Sequence, residues 1–253
     1  YDPWQVTDDP NRKDFRVQNL SLPSGFSVER MRSRHALLDA VNRSQDRLSS
    51  LAETRVLTDQ QKDAFSLITS SKFANAFQID REPDAVRDRY GRHMFGQSLL
   101  LARRLVEAGV PVIQANMGRV QTWDSHGDIS NRLKRDLLPP LDRGVSALLD
   151  DLRDRGLEEQ TLVIVVGEFG RTPRLNTTAG RDHWADVFSA VFNGAGVRGG
   201  QVIGASDAEG AYPATQAFSP DDLAATVYHA LGLPPDSRFI DREGRPQTLC
   251  TGQ

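Results

Sequence analysis

In Trp123-Asp-Ser-His-Gly-Asp128, residue types and spacing first suggest chemistry. Residues two apart in an extended segment point the same way, so the Asp124 carboxylate and the His126 imidazole can reach one point. Such a pair suits Zn²⁺, Mn²⁺ or a similar divalent ion and needs no thiolate. An Asx-type turn, with Asp124 capping backbone amides and His126 in solvent, is the competing reading. Glu168 adds a second acid at the end of the apolar run Thr161-Leu-Val-Ile-Val-Val166. A carboxylate at the mouth of an apolar strand needs a positive partner. That partner is either a metal ion or Arg171, three residues on. His183, in Arg181-Asp-His-Trp184, is the fourth group, or else a histidine packed beside Trp184. The metal reading gathers Asp124, His126, Glu168 and His183 into one site, provided a sheet collects their loops on one edge.

The elements that must do this gathering follow from the hydrophobic pattern. Residues 161–166 are nearly all apolar or β-branched, which predicts a central strand buried on both faces, with Gly167 and Gly170 turning the chain after it. Pro111–Asn116, Val187–Phe192 and the short Gln201–Ile203 are further predicted strands. Residues 1–29 read as an extended lead-in, and helical spacing runs from Val28 to about Arg55. Thr58 caps a second predicted helix through Phe73, with Gln61 completing a capping box. Pro83 opens a short helix to Tyr90, and another runs from Phe95 to Ala108, stopped by Gly109. A helix from Ile129 to Arg155 must kink or split at Pro139-Pro140. Ser219, Pro220, Asp221 and Asp222 open the last helix, which ends near Gly232.

Alternation of helix and strand after residue 95 predicts an α/β fold, a mostly parallel sheet with flanking helices. Residues 1–109 form the lead-in and a helical cap region, and residues 110–253 the α/β core carrying the metal-site loops. Four strands are few for such a sheet, so the expectation is that earlier strands are missing. A start at Tyr1 rather than Met fits a processed or truncated product.

Composition narrows the function classes. The chain has 253 residues, 38% hydrophobic and 26% charged, as expected of a globular protein with a real core. A net charge of −3, with both signs mixed along the chain, removes the electrostatic case for nucleic acid as main partner. Cys250 is the only cysteine, so neither an internal disulfide nor a thiolate metal site is available. No apolar run is long enough to span a membrane, and no signal peptide is visible. Gly194-Ala-Gly-Val-Arg-Gly199 matches the dinucleotide pattern, but Gly200-Gln-Val-Ile203 follows where a helix must begin, so a nucleotide site is rejected. No G-x-S-x-G elbow anchors a hydrolase triad.

Several longer stretches resemble a bacterial family known as domain of unknown function 1501. They are Val166-Gly-Glu-Phe-Gly-Arg-Thr-Pro173, Ala179-Gly-Arg-Asp-His-Trp184, Gly199-Gly-Gln-Val-Ile-Gly-Ala-Ser-Asp207 and Gly210-Ala-Tyr-Pro213. Trp123-Asp-Ser-His-Gly127, Tyr90-Gly-Arg92 and Asp222-Leu-Ala-Ala-Thr-Val-Tyr-His-Ala-Leu-Gly232 fit it too. That family looks like a branch of the alkaline phosphatase and sulfatase superfamily, which implies one or two divalent metals (Zn, Mn, Ca or Mg) and cleavage of anionic sulfate or phosphate esters. Asp124 and His126 resemble the superfamily's close Asp and His, and His183 its closing His. Where the superfamily carries an Asp-His or Asp-Asn step, this chain has Glu168 and Phe169. Phe169 cannot bind metal, which tells against a complete second metal site.

Family members begin with a strand ending in a Gly-Gly-Pro-Ser-like motif and a metal-binding Asp, and nothing here matches that segment. The resemblance therefore implies the carboxyl-terminal part of a longer protein, with the nucleophile outside it, and a periplasmic or secreted location. Arg171 is the expected contact for an anionic group of the substrate. The alternative expectation is a non-catalytic binding or surface-associated protein that keeps the fold with a degenerate metal site.

Overall fold

A computed structural model describes residues 5–17, 27, 29–30, 32–34, 36–37, 71–117, 122–234 and 236–252. The described chain divides into two compact units, residues 1–116 and 117–253.

In the first unit the long helix α3 (Met94–Ala108) follows two shorter ones, α1 (Ser71–Ala76) and α2 (Asp84–Tyr90). Its ends are set locally. His93 Nδ1 accepts from Gly96 N at 3.1 Å, and Gly109 closes the helix in the left-handed region at φ 90°. Phe95, Leu99, Leu100, Leu101 and Leu105 are buried, as are Phe73, Phe77, Ile79 and Tyr90, so this helix is enclosed over most of its circumference. Gly96 is required by close approach, since a Cβ there would lie 2.1 Å from the Tyr90 carbonyl oxygen. The buried Gln97 amide is satisfied by the carbonyls of Arg87 and Gly91, both at 2.9 Å.

The buried Glu82 carboxylate meets Arg103 at 2.8 Å and also pairs with Arg104. Burial raises the Glu82 carboxyl, but the hydrogen bonds and charges of the two guanidinium groups outweigh it and hold the group below its ordinary value.

The second unit opens with a continuous helical stretch. Ile129–Asn131 leads into a π-helical segment, Arg132–Leu137, and then into α4 (Leu138–Asp154). The widened turn directly precedes Pro139 and Pro140, which have no N–H to give an α-helical ladder. The break expected at the prolines is thus a change of helical pitch. Helix α5 (Pro220–Ala230) starts at the cap predicted for it and goes further, forming a capping box in which Ser219 Oγ accepts from Asp222 N at 3.2 Å and Asp222 Oδ2 accepts from Ser219 N at 2.7 Å.

The strands depart from expectation. Among the described residues every ladder is two-stranded and antiparallel: the protein is α/β overall, and the described residues form no large parallel sheet. Strand β1 (Val163–Val166) pairs with β4 (Ala190–Asn193), Val163 facing Asn193 and Val166 facing Ala190. The two-face burial predicted for residues 161–166 is not reached, because β1 has one neighbour and Val166 is exposed. Strand β2 (Gly170–Arg171) pairs with β3 (His183–Trp184), and β5 (Arg238–Ile240) with β6 (Pro246–Thr248). Pro111–Asn116 and Gln201–Ile203 enter no ladder, and Val112, Val202 and Ile203 are exposed. An apolar run becomes a strand only when a neighbour accepts its backbone hydrogen bonds. No helix begins between residues 201 and 219, as expected of a glycine-rich turn rather than a phosphate loop.

The predicted helix from Val28 is helical at its described positions, 29–30, 32–34 and 36–37, and its remainder lies outside the described residues. The Thr58–Gln61 capping box also lies outside them, while the end of that predicted helix, at Phe73, falls within α1. No helix among the described residues is long and apolar enough to cross a membrane.

Candidate metal centre

Two loops of the second unit, residues 122–128 and 172–183, are joined along their backbones. Gly127 bridges Ala179, Asp128 N donates to Thr178 O at 3.0 Å, Ile129 N to Ala179 O at 3.0 Å, and Arg181 N to Ser125 O at 3.1 Å. Gly180 makes this approach possible, since a Cβ there would lie 2.0 Å from the His126 carbonyl carbon. Gly170 does the same for β2, where a Cβ would meet the Val187 carbonyl oxygen at 1.8 Å. Ser125 is buried between the more exposed Asp124 and His126, the alternation expected of an extended segment.

Oδ1 of Asp124 is the focus. His126 Nε2 lies 2.9 Å from it, His183 Nε2 2.9 Å and Arg171 Nη1 2.7 Å. The His183 hydrogen bond and then the Arg171 guanidinium lower the Asp124 carboxyl to about 2. Arg171 also donates to the carbonyls of Trp123 at 3.2 Å and Arg181 at 3.4 Å, so its guanidinium plane is anchored on both loops. Phe169 packs on His183 with ring centroids 4.4 Å apart. On the other side of β3, Trp184 Nε1 donates to Ala211 O at 2.7 Å, and Asp207 Oδ1 accepts from Ala211 N at 2.7 Å. The Gly210-Ala-Tyr-Pro213 loop thus steadies the strand that carries His183.

Asp124, His126 and His183 each offer one ligand atom, and the three atoms lie within 4.8 Å of one another. One carboxylate oxygen and two imidazole nitrogens are the donor set of many zinc-like sites, with room left for a fourth ligand. The surroundings of His126 strengthen the fit. His126 Nδ1 is 2.6 Å from Asp182 Oδ1, and Asp182, held below its ordinary value by that hydrogen bond and then by Asn176, can only accept. Both ring nitrogens of His126 therefore face carboxylates, Nδ1 that of Asp182 and Nε2 that of Asp124. One ring proton serves one of these contacts, and the other is completed by a second proton or a metal ion.

Of the four expected ligands, Asp124, His126 and His183 come together, whereas Glu168 is exposed and stands outside the group. Arg171, weighed as a partner for Glu168, pairs with Asp124 instead. Sequence reasoning passed over Asp182 and Asn176. Asp182 stood beside His183 in the same quoted run, but its partner, His126, is 56 residues away.

The whole chain, residues 1–253, matches the family described as "Protein of unknown function (DUF1501)", and the chain belongs to that family. Comparisons with curated proteins and with solved structures return no match.

Proposed function

We propose that the second unit binds a divalent metal ion through Asp124, His126 and His183, and that the intact protein is a metal-dependent hydrolase of sulfate or phosphate esters. The observation that carries this reading is the convergence of His126 Nε2 and His183 Nε2 on one oxygen of Asp124, each at 2.9 Å. A bound divalent ion there supplies a Lewis acid, which polarises an ester oxygen and stabilises the charge that builds on it. The chain's own residues supply the rest. Asp182 holds the Nδ1 edge of His126, Phe169 and the β2–β3 ladder orient His183, and Arg171 presents a fixed guanidinium to an anionic oxygen of the substrate.

Kinship with the alkaline phosphatase and sulfatase superfamily, and the larger parallel sheet that it implies, belong to this proposal. They are supported by the resemblance of Asp124, His126 and His183 to that superfamily's ligands. Hydrolysis of nitrophenyl phosphate and nitrophenyl sulfate by the intact protein, with and without EDTA, tests the activity. Hydrolysis that EDTA abolishes and zinc or manganese restores supports it; activity indifferent to chelation counts against it.

A second reading is a non-catalytic protein that keeps a single binding centre. Phe169 favours it, because its ring lies against His183 at the position where the superfamily presents a further ligand. Stoichiometric metal with no turnover of either ester would support this reading over the first.

A further inference from the structure

We infer that Asp182, held in place by Asn176, is the positioning carboxylate of this centre: it pins the His126 proton on Nδ1 and so makes Nε2 available as a ligand. The inference rests on the metal reading of the site and deepens it. Three observations carry it.

The first is the contact itself, His126 Nδ1 to Asp182 Oδ1 at 2.6 Å, on the ring edge opposite the one facing Asp124. The second is that Asp182 is held from behind. Asn176 Nδ2 donates to the same Oδ1 at 3.1 Å and to the His126 carbonyl at 3.0 Å. The orientation of that amide is not a free choice. Its Oδ1 faces the backbone N–H of Thr178 at 3.0 Å and of Gly180 at 2.9 Å, and N–H groups only donate, so the NH₂ must face Asp182 and His126.

The third observation is that His126 is fixed at its backbone as well as at its ring. Thr178 Oγ1 donates to the His126 carbonyl at 2.5 Å, and Gly180 packs against the same peptide. Backbone and imidazole are therefore held by one loop, residues 176–182, and that loop runs directly into His183. Asp182 touches the site at the far edge of His126 and is not one of the three converging ligand atoms, which makes it a positioning residue rather than a ligand.

The test uses the full chain, zinc as the probe, and two variants, Asp182→Ala and the near-isosteric Asp182→Asn. Zinc affinity is measured by competition with a chromophoric chelator. The His126 tautomer is read from ¹⁵N ring shifts in the metal-free protein. Outer carboxylates on metal-bound histidines are worth roughly 10- to 100-fold in affinity. Asp182→Ala is expected to weaken zinc binding by that factor and to leave His126 Nδ1 protonated only part of the time, where the wild type keeps it protonated throughout. Asp182→Asn, which keeps an acceptor oxygen but loses the charge, is expected to fall between Asp182→Ala and the wild type in both readouts. If the wild type binds zinc and Asp182→Ala leaves both readouts unchanged, the role of Asp182 is overturned and the metal reading stands. If the wild type binds no zinc, the metal reading fails and the inference fails with it, whatever the tautomer does.

Discussion

Arg171 and His183 stand directly opposite one another in the β2–β3 ladder, and both reach Oδ1 of Asp124, at 2.7 and 2.9 Å. Cross-strand neighbours lie on one face of a ladder with their Cβ atoms about 5 Å apart. A two-residue register therefore places a cation and an imidazole side by side, far apart in sequence from the carboxylate they share. The guanidinium meets the charge of the acid, and the imidazole brings its Nε2 to the same oxygen.

That arrangement separates two roles that a substitution can split. Arg171→Ala removes one positive charge from Asp124 while leaving the ladder backbone in place. Metal affinity is expected to hold or to tighten, because a competitor for the carboxylate has gone. The KM for an anionic ester is expected to rise roughly tenfold or more, the scale of a lost hydrogen bond from a charged donor. Chelator competition and steady-state kinetics on one preparation check both. A parallel loss of metal affinity would assign Arg171 to building the site instead.

Gly180 is the tightest seam between the two loops, and a methyl group there would fall 2.0 Å from the His126 carbonyl carbon. Backbone cannot be displaced as cheaply as a flexible side chain. Gly180→Ala is expected to cost the second unit roughly 1–3 kcal/mol and to abolish metal binding, with the helices of residues 71–117 intact by far-UV circular dichroism. Unchanged metal affinity in this variant would mean that the seam is looser than these distances require.

Glu82 governs acid stability in the first unit. Its carboxyl is held below the ordinary value, so it contributes stability above the unfolded-state value of about 4.3, and this contribution is lost as pH falls through the folded value. Glu82→Ala leaves Arg103 and Arg104 without their shared carboxylate and is expected to cost roughly 3–5 kcal/mol. It should also flatten the dependence of stability on pH below about 4.3. Urea unfolding at a series of pH values measures both effects; an acid limb as steep in the variant as in the wild type would contradict this account.

What the sequence made legible was mostly local chemistry. The Ser219 cap, the Gly109 stop and the helix after Pro83 depend on residues within one turn of each other, and they appear where caps and glycines put them. Asp124 and His126 were legible for the same reason, since a two-residue alternation decides their common side. Strand pairing was not, because Thr161–Val166 reads equally well as the centre of a parallel sheet or as one arm of an antiparallel pair. Glu168 was placed by assuming the first, and the chain adopts the second. The register that sets His183 opposite Arg171, and the reach of Asp182 to His126, are long-range facts with no local signature. Asn176 shows this most plainly: a lone asparagine in a polar turn gives no hint that it holds two loops together.

Asp124, His126 and His183 are proposed to hold one ion, and metal content reads this directly. The intact protein, stripped with EDTA, reloaded with zinc and passed over a desalting column, is analysed by inductively coupled plasma mass spectrometry beside Asp124→Ala and His183→Ala. One zinc per chain in the wild type, lost in both variants while Glu168→Ala retains it, is the predicted result. A wild type that emerges without stoichiometric metal, or variants that keep it, would contradict the account.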